Sequence, residues 1–194
     1  MAVDGAAGND TLHGGDLDDT ILGGAGDDSL SGHFGDDSLD GGAGQDSLVG
    51  GPGDDWLAGG LGADTLNGGN NTDTVNYRNS DAAVTVNLDN ALAETGGHAQ
   101  GDLLSSIENV IGANLAATGD NLTGNSVDNI LVGLLGDDFL NGGGGNDMLI
   151  GGIGADALNG GIGDDIFLYS ALTQGGDTVA DFHNAAGDND VARA

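Results

Sequence analysis

A nine-residue phrase returns eight times without a break between Gly5 and Asn76, and it restricts the fold more than any other property of the chain. Aligned on its glycines, the phrase reads Gly-Gly-x-Gly-x-Asp-x-apolar-x. Its sixth position is Asp10, Asp19, Asp28, Asp37, Asp46, Asp55, Asp64 and Asp73. Its eighth is Leu12, Ile21, Leu30, Leu39, Leu48, Leu57, Leu66 and Val75. Side chains alternate across a strand, so one aliphatic between polar neighbours predicts a short strand over the seventh to ninth positions, with only the eighth turned inward. The six residues before it turn the chain, using glycine conformations closed to other residues. Two repeats complete a coil of 18 residues, so turns n and n+2 stack on one edge about 4.8 Å apart. A column of carboxylates at that spacing repels itself unless cations lie between the turns.

Composition points the same way. The chain has 32 acidic residues against two basic ones, Arg78 and Arg193, and a formal net charge of -30. Only Glu94 and Glu108 are glutamates. Aspartate's short side chain suits ligation from within a tight turn, whereas a merely solvated face would mix in Glu. This charge excludes nucleic acid or an anionic membrane surface as a direct partner. There is one proline, Pro52, against 41 glycines, and no cysteine, so neither disulfides nor thiolate metal sites can form. No stretch approaches the ~18 apolar residues of a membrane span, so no membrane insertion is expected. Residues Met1 to Asp10 lack the regions of a secretory signal peptide. Low hydrophobicity with high charge would, by itself, predict disorder. The register predicts a fold conditional on metal, because one inward aliphatic per glycine-rich repeat is little to set against the ordering entropy. Ca²⁺, which takes about six to eight oxygens at ~2.3–2.6 Å, suits such turns better than the tighter octahedron of Mg²⁺.

The register resumes further on. Repeats start at Gly133, Gly142, Gly151 and Gly160, with sixth-position Asp138, Asp147, Asp156 and Asp165. Two weaker turns precede them. Leu115–Thr123 carries Asp120 and Leu122, while Gly124–Val132 has Val127 at a glycine position and Asn129 at the acid position, so its site is expected empty. The chain therefore divides into a first array (1–76), an irregular connecting coil (77–114), a second array (115–168) and a closing segment (169–194). Within the coil, Val84–Leu88 alternates as a half-buried strand and Ile107–Ile111 reads as another, with a polar loop at Asn90–Asp102 between them. One continuous roll with a bulging loop is expected, the alternative being two short rolls joined by a linker.

Residues 5–76 and 115–168 resemble, repeat by repeat, the RTX family of hemolysin-type calcium-binding repeats. The phrases DTVNY, VTVNL and SIENVIG resemble its irregular coils, and Gly175–Phe182 its closing segment. The resemblance implies an all-β fold, a right-handed parallel β-roll with Ca²⁺ held in stacked turns on both edges. It also implies a ligand scheme. One turn gives its first and third carbonyls and a fifth-position oxygen; the turn two repeats later gives its second and fourth carbonyls and the sixth-position carboxylate. Carried onto this chain, Asn9 pairs with Asp28, Asp18 with Asp37, Asp27 with Asp46, Asp36 with Asp55, Gln45 with Asp64 and Asp54 with Asp73. In the second array Asp128 pairs with Asp147, Asp137 with Asp156 and Asn146 with Asp165. About eight to ten ions follow. Asp10 and Asp19 have no turn two repeats before them and are expected to bind none. The family further implies a secreted bacterial protein that leaves the cell by type I secretion, although the ending Asp188–Ala194 departs from the family's usual closing strand.

Catalytic signatures are missing. There is no His-Glu-x-x-His zinc motif and no Gly-x-Ser-x-Gly elbow, and His13, His33, His98 and His183 share no metal spacing. The Asp-Asp pairs sit at positions five and six, where ligation is the simpler account. The primary expectation is a noncatalytic calcium-binding module. An accessory module of an RTX enzyme or adhesin that binds a glycan or polymer is the alternative, with Trp56, outward at a seventh position, as a contact. Rows of outward hydroxyls (Thr11, Thr20, Thr65, Thr74, Ser29, Ser38, Ser47) raise a third reading, ice binding, which Trp56 and the varied third positions oppose. End-to-end self-association is a further expectation.

Overall fold

The eighth-position side chains from Ile21 to Val75 and from Leu122 to Phe167 are at most 1% exposed. They stack in two inner columns because each strand pairs in parallel with the strand one coil away. Thr20–Ala25 lies on Ser38–Ala43 with Ile21 opposite Leu39, and Ser29–His33 lies on Ser47–Pro52 with Leu30 opposite Leu48. The computed structural model describes residues 1–90, 92–168, 176–182 and 189–193. Over these residues the chain is an all-β parallel solenoid whose only helical element is a 3-10 turn at Gly97–Ala99. No described helix is long and apolar enough to cross a membrane.

Full strands run for six residues rather than the expected three. Thr20–Ala25, Trp56–Leu61 and Met148–Ile153 each continue through the first three positions of the next repeat. Glycines have little strand preference of their own. The parallel ladder nevertheless extends through them, because stacked identical turns bring each N–H against the carbonyl above. The first-position glycine is buried with the eighth side chain, as Gly23 is beside Ile21.

One face is a ten-stranded sheet, Ala2–Asp4, Thr20–Ala25, Ser38–Ala43, Trp56–Leu61, Thr74–Asn76, Asn109–Ile111, Ile130–Leu135, Met148–Ile153, Ile166–Leu168 and Val191–Arg193, unbroken across the connecting coil. The opposite face is split into two five-stranded sheets. Residues 77–114 supply two strands to this split face, one more than a regular coil. Thr85–Asn87 pairs with Asn121–Thr123 in the second sheet, while Leu103–Ser105, later in the chain, pairs with Thr65–Asn67 in the first. The strands expected at Val84–Leu88 and Ile107–Ile111 are Thr85–Asn87 and Asn109–Ile111; Leu103–Ser105 was not expected. In the closing segment Thr178–Val179 pairs with Ala157–Leu158. Gly175, His183, Asp188 and Ala194 lie outside the described residues.

Candidate functional site

Each sixth-position carboxylate reaches back one coil. Oδ1 of Asp28 accepts the N–H of Asp10 at 2.8 Å, Asp37 that of Asp19 at 2.8 Å, and Asp46 that of Asp28 at 2.8 Å. Asp55, Asp64 and Asp73 continue the ladder on Asp37, Asp46 and Asp55 at 2.8, 2.9 and 2.8 Å. In the second array Asp138 accepts from Asp120, Asp147 from Asn129, Asp156 from Asp138 and Asp165 from Asp147, at 2.7, 2.7, 2.9 and 2.8 Å. Fifth-position side chains reach forward instead. Asn9 accepts the N–H of Asp27 at 3.1 Å, Asp18 that of Asp36 at 3.0 Å, Asp27 that of Gln45 at 2.9 Å, Asp36 that of Asp54 at 2.9 Å and Asp54 that of Thr72 at 3.0 Å. Asp128, Asp137 and Asn146 do the same for Asn146, Ala155 and Asp164 at 2.7, 2.9 and 2.9 Å. Since Asp27 precedes Asp28, the bond from Asp27 sets Asn9 on the turn that carries Asp28, and the other pairs follow by the same step, except Gln45 with Asp64, where the Gln45 side chain makes no such bond.

These ladders occupy only half of each sixth-position carboxylate. Oδ2 of Asp28, Asp37, Asp46, Asp55, Asp64, Asp73, Asp138, Asp147 and Asp156 is buried and accepts no hydrogen bond. It lies against the first glycine of its own repeat. A Cβ on Gly23 would fall 2.5 Å from Asp28 Oδ2 and 2.5 Å from the carbonyl oxygen of Gly41. A Cβ on Gly41 would meet Asp46 Oδ2 at 2.5 Å and the Gly59 carbonyl at 2.7 Å. Two oxygens thus converge over a hydrogen-only side chain, with no donor between them. Leaving a carboxylate oxygen so costs its desolvation. Only a proton or a cation relieves that.

Without a cation the carboxyls are pushed toward protonation. Burial, opposed by the N–H bond to Oδ1 and reinforced by neighbouring carboxylates, raises Asp46 and Asp55 to about 6 and Asp73, Asp138 and Asp147 to about 7. Asp37, Asp64 and Asp156 are raised by burial as well. A hard cation is the natural counter-charge, since it takes several oxygens at once. Among the described residues no three Asp, Glu or His side chains cluster closely enough to hold a metal alone. Backbone carbonyls must therefore complete any shell, as the glycine-lined approach allows.

Four turns depart from the pattern. Oδ1 of Asp19 pairs with the Met1 ammonium and Oδ2 accepts from Gly15 N–H at 2.6 Å, so an ammonium stands where an earlier turn was expected to be missing. The bond to that ammonium holds the Asp19 carboxyl below its ordinary value. Asp10 keeps the buried, partnerless Oδ2 beside the Gly23 carbonyl and departs only in that its Oδ1 accepts no N–H from another coil. Asp120 uses both oxygens, on Val84 and Ala113 N–H at 2.8 and 2.6 Å. Asn129 takes Asn125 N–H at 2.8 Å and donates to the Glu108 carbonyl at 2.7 Å, so an amide satisfies itself where the repeat has an acid.

Sequence reasoning missed four acids that act as sixth positions. Asp102 accepts from Asp64 N–H at 2.9 Å, Glu108 from Asp73 at 2.9 Å, Asp177 from Asp156 at 3.0 Å and Asp190 from Asp165 at 2.9 Å. Their separations of 38, 35, 21 and 25 residues replace the regular 18. The surviving signal is acid-x-apolar, as in Asp102-Leu103-Leu104 and Glu108-Asn109-Val110. Glu94, placed in a polar loop by its sequence, is buried; Oε2 accepts from Asn87 N–H at 2.9 Å and Oε1 has no partner. Burial raises its carboxyl to about 7.

The profile of the RTX calcium-binding nonapeptide repeat, in units of four copies, matches residues 3–16, 13–48, 49–78, 123–158 and 142–169, more than half of the chain. The chain belongs to the RTX calcium-binding repeat family. Its two matched blocks are the two arrays whose carboxylate ladders are described above, and the RTX assignment makes the protein a calcium-binding parallel β-roll. No curated protein matches the chain.

Proposed function

We propose that this RTX roll is a noncatalytic module of a secreted bacterial protein, that it folds when it meets calcium outside the cell, and that its ions bind at the stacked aspartate turns. The observation that carries the reading is the column of buried, partnerless Oδ2 atoms from Asp28 to Asp73 and from Asp138 to Asp156, with a backbone carbonyl oxygen converging on the same glycine at Asp28, Asp37, Asp46, Asp55, Asp73, Asp138 and Asp147. Fifth-position oxygens of Asn9, Asp18, Asp27, Asp36, Asp54, Asp128, Asp137 and Asn146 supply a second side chain to these turns, and Asp165 extends the second array. About eight to ten ions are expected, with affinities in the ~10⁻⁴–10⁻³ M range of extracellular calcium modules. Such sites stay empty at cytosolic calcium, so the chain would remain unfolded until export, and RTX proteins use the type I route.

Far-ultraviolet circular dichroism tests folding, and isothermal titration tests stoichiometry. The expected result is a largely disordered chain in chelator and β structure at millimolar calcium. Cooperative β structure in excess chelator at neutral pH would overturn the proposal.

A further inference from the structure

The unbroken face of the roll carries a groove of about 280 Å³ beside the connecting coil. Its floor is Ala58, which lies opposite Asp40 in the parallel ladder. The next strand brings Asn76 abreast of Ala58 on the other side. Trp56, two residues before Ala58 and on the same face, forms one wall and is 48% exposed. The 3-10 turn Gly97–Ala99 packs against Trp56–Leu61, and with it His98 and Asn79 close the groove from above. A small residue flanked by larger ones on a regular sheet makes the depression, and only the irregular coil gives it a roof.

The groove sits at the small end of the ~300–1,000 Å³ of ligand clefts. One exposed indole face stands among a carboxylate, two amides and an imidazole. Planar polar side chains around an aromatic platform match the alternating hydroxyls and apolar C–H faces of a pyranose ring. Asp40 accepts hydroxyl hydrogens, Asn76 and Asn79 both donate and accept, and the Trp56 ring covers the C–H face. Burial raises the Asp40 carboxyl, with the facing His98 opposing the shift, so the carboxyl is partly withdrawn from water. An apolar ligand would strand these polar groups, and an anionic sugar or nucleotide would meet Asp40 and a net charge of -30.

We infer that this groove binds a neutral saccharide, with Trp56 stacking on one sugar ring and Asp40, Asn76, Asn79 and His98 bonding its hydroxyls. The site rests on the roll fold and not on how many calcium ions the turns hold. Trp56 is the single tryptophan, so its fluorescence reports the groove directly. The calcium-loaded chain would be titrated with cello-, xylo-, manno-, malto-, laminari- and chito-oligosaccharides, with polygalacturonate and spermidine as charged comparisons. Saturable change with at least one neutral series is expected, together with about tenfold or greater weakening in Trp56→Ala and Asp40→Asn. Trp56→Ala, which lacks the indole reporter, would be followed by calorimetry. Calcium-dependent circular dichroism on each variant separates loss of the groove from loss of the roll. No response to any neutral series, a response only to spermidine or polygalacturonate, or unchanged binding in folded Trp56→Ala would each overturn the inference.

Discussion

The Tyr77 hydroxyl donates to Oδ2 of Asp102 at 2.9 Å, and both residues are buried. Oδ1 of Asp102 meanwhile accepts from Asp64 N–H, as a sixth-position aspartate does. The oxygen left open elsewhere is therefore closed here by a phenol. The fifth position one coil earlier is Ala63, which has no side-chain oxygen to offer an ion. Burial, with Asp102 alongside, holds the Tyr77 hydroxyl well above its ordinary range, so it remains a donor. At this coil a proton donor takes the place that the proposed cation would hold in the arrays.

Tyr77→Phe should accordingly destabilise the calcium-saturated roll by about 1–3 kcal/mol, the cost of a buried acceptor without its partner. Calorimetric stoichiometry should not change. A gain of one bound ion in the variant would show that the phenol had been competing with metal.

Stability without metal should fall as pH rises. Folded-state values near 6 for Asp46 and Asp55, and near 7 for Asp73, Asp102, Asp138, Asp147 and Glu94, lie above the ordinary 3.8 of Asp and 4.5 of Glu. A raised carboxyl favours the folded state fully below its unfolded value, and that contribution disappears as pH climbs through the folded value. Metal-free protein should thus hold more β structure near pH ~4 than near pH ~8. Calcium reverses the trend, because protons compete for the same oxygens. Dichroism at both pH values, with and without calcium, checks both signs.

Single sites can be removed by charge alone. Asp46→Asn keeps an acceptor for the Asp28 N–H and should lose one ion from an otherwise folded roll. The loss of linkage is about 2.7 kcal/mol when calcium stands 100-fold above its dissociation constant. Asp46→Ala should cost more, since it also strands the Asp28 N–H. Asp10→Ala should leave the ion count unchanged. Titration calorimetry that found an ion missing in Asp10→Ala would defeat the pairing of turns n and n+2.

His33 holds φ 79° at a second position, where Gly24 and Gly42 hold φ 108° and 101°. Its side chain is exposed and its ring lies 5.5 Å from that of His13 between centroids, so little packing offsets the strain. Replacement by glycine should raise stability by about 1 kcal/mol, part of the left-handed penalty being returned as unfolded-chain entropy. Thermal unfolding at saturating calcium measures it, and a lower midpoint would assign the His33 ring a packing role against His13.

The roll was legible because a period needs no propensity. Leu30 and Leu48 face each other simply because they occupy equal places in equal turns. Strand ends were less legible, as Gly23–Ala25 becomes strand through its neighbours and not its composition. The connecting coil hid Asp102 and Glu108 because insertion moved them off the nine-residue grid while leaving their local acid-x-apolar pattern intact. Tyr77 could not be assigned from sequence, since its partner lies 25 residues away across a loop of no fixed period. The same applies to the groove, where Trp56 is visible but His98 arrives only through folding of that loop.

The crossing of Thr85–Asn87 and Leu103–Ser105 on the split face has a mechanical meaning. Each half of the solenoid carries, as the border strand of its own sheet, a piece of chain that belongs in sequence order to the other side. A protease cut at the exposed Leu92 would yield two fragments, each still hydrogen-bonded into the sheet of its sibling. Such a nicked molecule would elute as one particle in native chromatography and as two bands after boiling, the crossed strands clasping one face while Thr74–Asn76 and Asn109–Ile111 hold the other.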